Sequence, residues 1–68
     1  MKYDVYIVKT PFEWGNNIRA IITPVGNGEE MAIVEINVPA GEDTEVPKKI
    51  VCDLAWQFAD LFERIDEE

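Results

Sequence analysis

Carboxylates are the one reactive group this chain holds in quantity: 14 Asp and Glu stand against 6 Lys and Arg, with no histidine and a single cysteine, Cys52. Three of them, Asp53, Asp60 and Glu67, recur every seven residues. On a helix that spacing makes a nearly straight row, with about 10.5 Å between successive Cα atoms. General acid–base chemistry needs a carboxyl, lysine or tyrosine poised near neutral pH, and no stretch of the sequence marks one. Cys52 has no histidine to activate it as a nucleophile. The glycines build no phosphate cradle, because Gly26-Asn27-Gly28 reads as a hairpin and residues 41–47 lack the lysine and spacing of a P-loop. The carboxylates of GEDTE at 41–45 fall short of EF-hand spacing. The commonest zinc and copper ligand is missing, and one cysteine forms no internal disulfide. The expectation is a protein without catalysis, cofactor or metal.

Charge says more about partners. The net charge is −8 on 68 residues. Residues 41–68 carry nine acids against Lys48, Lys49 and Arg64, a net of −6, so the C-terminal half is an acidic pole. Such a field repels nucleic-acid phosphates and anionic lipid headgroups and speeds encounter with basic partners. Within that pole Trp56 has Cys52, Asp53, Ala59 and Asp60 as its helical neighbours, with Glu63 one turn further on. Tryptophan is enriched at binding hot spots, and surrounding carboxylates select a basic partner. The alternatives are a solvated helix face and an indole that only covers aliphatic stems or the 11–16 loop.

The elements that position these residues follow from periodicity. Residues 2–10 alternate as a strand, with Tyr3, Val5 and Ile7 on one face. A loop is expected over 11–16, in which Phe12 and Trp14 plug the open end of the core. A second strand spans 17–25, a glycine turn follows at 26–28, and a third strand covers 29–38. Short connections favour an antiparallel meander in order 1-2-3. A C-terminal helix begins near Pro47, or one turn earlier with Thr44 as cap. Its residues Ile50, Val51, Leu54, Ala55, Phe58, Leu61, Phe62 and Ile65 fall in one apolar wedge expected to face the sheet, and Trp56 lies opposite that wedge. The fold class is therefore α+β, a two-layer βββα arrangement over a single domain, residues 1–68.

Two functional readings follow. In the first, Trp56 anchors an acidic helix surface, with Asp53, Asp60, Glu63 and Glu67 around it, that docks on the basic surface of a nucleic-acid-handling protein and inhibits it by standing in for phosphates. In size and charge the chain resembles small acidic phage-encoded inhibitors, among them nucleic-acid mimics and some anti-CRISPR proteins, with which it shares no motif. In the second, the outward sheet face, displaying Tyr6, Val8, Ile21, Met31 and Ile33, joins two copies into a structural or regulatory homodimer, antitoxin-like or an assembly component. Neither reading involves direct nucleic-acid or membrane contact, since no run approaches the ~18 apolar residues of a span. A cytoplasmic location is expected.

Overall fold

β-Branched and aromatic residues alternate through the N-terminal half, and the chain forms three strands there: β1 (Tyr3–Phe12), β2 (Gly15–Pro24) and β3 (Ala32–Pro39). A helix, α1 (Glu45–Glu67), closes the chain. The computed structural model describes residues 2–67, and side chains as far as Ile65. Both strand pairs are antiparallel and the order is β1-β2-β3, so the meander expected from the sequence is the one formed.

Hydrogen-bond phase explains why three prolines are tolerated inside strands. The Val25 N–H donates to the Lys2 carbonyl (2.9 Å) and the Ala40 N–H to the Trp14 carbonyl (2.8 Å). With the continuous registers between the strands, these bonds direct the even residues of β1 and β3 toward β2 and the odd residues toward the open edges. Pro11 and Pro39 are therefore edge-facing, where no N–H is required. Pro24 lies beyond the last β2–β3 pair, Ile22 with Ala32.

The connections differ from expectation. β1 runs on through Pro11 and Phe12, and the loop shrinks to Glu13-Trp14. Phe12 and Trp14 do not plug the core: both are exposed, Trp14 at 72%. Gly15 is required by close approach, because a Cβ there would collide with the Val38 carbonyl oxygen. Between β2 and β3 the turn comes at Val25-Gly26, where Gly26 has φ 82°, and irregular chain continues to Met31 before β3 begins. The helix starts at Glu45: the Thr44 carbonyl accepts the first helical bond from Lys48 N–H (3.0 Å), and Asp43 Oδ1 accepts from Glu45 N–H (3.0 Å). Thr44 is thus the cap position, and Pro47 sits within the first turn.

The largest departure is the rotation of α1. Its buried residues are Val51, Ala55 and Ala59, which join Tyr3, Ala20 and Ile22 in the core, with Phe62 packed against them. The Tyr3 and Phe62 rings meet at 5.7 Å between centroids, inclined by 49°. Ile50, Leu54, Phe58, Leu61 and Ile65, expected on the sheet, are instead between 40% and 65% exposed. At 100° per residue, the helix is turned about 70° from the centre of its apolar wedge. Small residues face the sheet: Ala55 and Ala59 are buried in one cluster with Ala20, Ile22 and Tyr3, and alanine lets the helix approach closely.

The resulting shape is long and thin, 44 × 20 × 13 Å. Its radius of gyration is 13.2 Å, against roughly 11 Å for a compact chain of this length. Its surface is 4851 Å², against about 4,400 Å² for a compact 7.8 kDa monomer. Ala55→Leu would force the helix off the sheet, and urea denaturation should register a loss of about 1–3 kcal/mol. In the same assay Trp14→Ala should cost under about 0.5 kcal/mol. A harmless Ala55→Leu would mean that the helix does not seat through this seam.

Candidate functional site

With Ala55 taken as the direction of the sheet, the residues of α1 sort into three sectors by helical geometry. Glu63, Trp56, Asp60 and Asp53 fall about 80° to 160° to one side. This is the β1 side, since Trp56, Glu63 and Tyr3 line one small cavity of about 40 Å³, and Cys52 and Ile7 line a common groove. Phe58, Ile65, Leu54, Leu61 and Ile50 fall about 60° to 140° to the other side, toward β3.

The acidic sector brings together four of the five residues expected to contact a partner. Asp53 is exposed and forms no ion pair among the described residues. Asp60 Oδ2 lies 2.8 Å from Arg64 Nη2, one turn along the same helix. Glu63 is half-buried, and its Oε1 accepts a hydrogen bond of 2.6 Å from the Lys2 N–H, tying the helix to the start of β1. The Glu67 side chain lies outside the described residues; its backbone ends α1. Trp56 is 36% exposed and leans over Tyr3, Ala59, Asp60 and Glu63. Its position is the flank of the core and not the pole opposite the sheet, beside Tyr3 at the end of β1 away from the β1–β2 turn.

The outward sheet face also assembles as a surface. Tyr6, Ile21 and Ile33 form one cross-strand row, with Val8, Arg19 and Glu35 in the next. Tyr6, Val8, Met31 and Ile33 are exposed and Ile21 is half-buried. Polar pairs interrupt this face: Arg19 Nε is 3.4 Å from Glu35 Oε2, and Asn17 Nδ2 donates to Asn37 Oδ1 (2.9 Å).

The apolar sector of α1 was not legible as a surface, because its residues were assigned to the core. The signal that could have found it is the pair of alanines one turn apart, Ala55 and Ala59, both buried in the core. Among the described residues no group of His, Cys, Asp or Glu is arranged to hold a metal ion, and no helix is long and apolar enough to cross a membrane. No protein-family model, curated protein or solved structure matches the chain.

The division of labour in the acidic sector can be measured. Trp56→Ala should lower stability by about 1–3 kcal/mol, because it uncovers Tyr3. Glu63→Ala, losing one hydrogen bond, should cost about 1 kcal/mol. Asp53→Ala should stay within about 0.5 kcal/mol of the parent in chemical denaturation. A Trp56→Ala variant as stable as the parent would free the indole entirely for another role.

Proposed function

We propose that this protein acts without catalysis, through protein–protein contact, with the acidic sector of α1 docking on a basic surface of a nucleic-acid-handling partner. The observation that carries this reading is the segregation of charge around the helix. Asp53, Asp60 and Glu63 share the side that holds Trp56, with Lys49 among them, while the β3-facing side bears no acid over residues 46–65. Carboxylates collected beside a partly exposed indole give an aromatic anchor and a charge-selective rim. Occupying a site that normally holds phosphate would inhibit the partner, in the cytoplasm, in the manner of a nucleic-acid mimic.

A second reading, a structural or regulatory homodimer, is favoured by a separate observation. Among the described residues, fifteen large apolar side chains are exposed, whereas the buried large ones are Tyr3, Ile18, Ile22, Val38 and Val51. A chain this small, with no disulfide or metal site in its described residues, gains most from a second subunit.

The first reading is tested with Asp53→Lys/Asp60→Lys, which reverses the charge and leaves Trp56 and Glu63 at their structural contacts. Proteins captured from a lysate by the parent, and displaced by added duplex DNA or RNA, should be lost with the variant and weakened by raised salt. Capture indifferent to charge reversal and to salt would reject the acidic sector as the docking surface.

A further inference from the structure

We infer that the apolar sector of α1 is a self-complementary interface, on which a second copy of this chain packs its own α1 antiparallel across a two-fold axis. The inference rests on the homodimer reading and names a surface for it other than the outward sheet face.

Four observations select a second copy as the occupant. The first is sequence symmetry. Ile50, Leu54, Leu61 and Ile65 read the same in both directions about a point between Gln57 and Phe58. A two-fold interface requires that residue i meet residue j and j meet i. In an antiparallel pair centred there, Ile50 meets Ile65 and Leu54 meets Leu61, twice over, with the two Phe58 rings near the axis. The steps of four, four, three and four residues through Phe58 also keep one stripe facing a partner helix, as close helix pairs demand.

The second is charge. The chain carries a net −8, so a copy docking on most of its surface meets like charge. The apolar sector holds Val46, Pro47, Gln57 and Arg64 besides the five stripe residues, and no acid. Arg64, at its rim, would come level with residue 51 of the second copy, within reach of that copy's Asp53. The acidic sectors of the two chains would point away from each other.

The third is area. The five stripe residues are 40% to 65% exposed, which for side chains of roughly 200 Å² leaves about 500 Å² open on each copy. Two copies would bury up to about 1,000 Å², the threshold of a specific interface. The fourth is competition between faces. The outward sheet face is crossed by the Arg19–Glu35 and Asn17–Asn37 pairs, which a dry contact would have to desolvate. The helix sector would have to accommodate only Gln57 and, at its rim, Arg64.

Sedimentation equilibrium at about 10–100 µM should give twice the 7.8 kDa chain mass for the parent. Phe58→Glu/Leu61→Glu should return the mass to that of one chain while keeping the helical circular dichroism, and Ile21→Glu on the sheet face should leave the dimer intact. A monomeric parent would overturn the homodimer reading itself. A dimer that Ile21→Glu dissociates, or that survives the helix variant, would leave that reading standing and overturn the helix interface. The register is read by oxidation in a Cys52→Ser background. Ile50→Cys mixed with Ile65→Cys should cross-link, and neither alone should; any other pattern overturns the antiparallel pairing.

Discussion

The helix rests on the sheet through alanine. Ala55 and Ala59 are buried in one cluster with Ala20, Ile22 and Tyr3, and this seam decides the rotation of α1 and so the fate of every other side chain on it. Close approach through small residues leaves room on the sheet-facing side for only two larger groups, Val51 and Phe62. Phe62 finds the Tyr3 ring, and together they finish the end of the core opposite the β1–β2 turn. A larger residue at either alanine would lift the helix and part those contacts, so the seam is a constraint of volume before it is a source of stability. Burying three alanines contributes little transfer free energy by itself.

Because the seam is narrow, it divides the remaining helix surface in two. On the β1 side, Trp56 and Glu63 are drawn partly into the fold, one by covering Tyr3 and the other by holding the Lys2 N–H. Asp53 and Asp60 lie further round and contribute negative potential with little structural duty, apart from the exposed Asp60–Arg64 pair. On the β3 side the stripe from Ile50 to Ile65 is too far round to reach the sheet fully. The long thin outline of the molecule follows from a 23-residue helix lying on strands of eight to ten residues.

The sheet could be read from the sequence because its signal has a strict period of two: slipping one residue would turn Ile18, Ala20 and Ile22 to the outer face. The strand ends were less legible. Pro11 reads as a strand breaker until the bonding phase places it on an open edge, and Gly15 reads as part of a loop until β3 is seen pressing against it. The helix face misled for a different reason. Periodicity weights residues by apolarity, so Leu54, Phe58, Leu61 and Ile65 outvoted Ala55 and Ala59 and pulled the expected core toward themselves. Contact with a sheet rewards fit, and the fit here belongs to the smaller side chains. The same weighting misplaces Trp56: it does lie opposite the apolar wedge, but the wedge does not point at the sheet, and the tryptophan sits on the flank of the core.

The two free sectors of α1 also bear on each other. They lie on opposite sides of the seam and adjoin at Asp53 and Arg64, so a contact made through one leaves most of the other open. In a pair joined through the apolar stripes, the acidic sectors face outward on opposite flanks, which keeps the largest like charges of the two chains apart. It also makes the assembly bivalent. A basic partner with two suitably spaced sites would meet the second acidic sector at an effective concentration set by the rigid pair, gaining avidity without any new contact. In such a pair the acidic and apolar sectors of a single helix would be engaged together, because helical geometry sets Asp60 and Glu63 well round from Phe58 and Ile65.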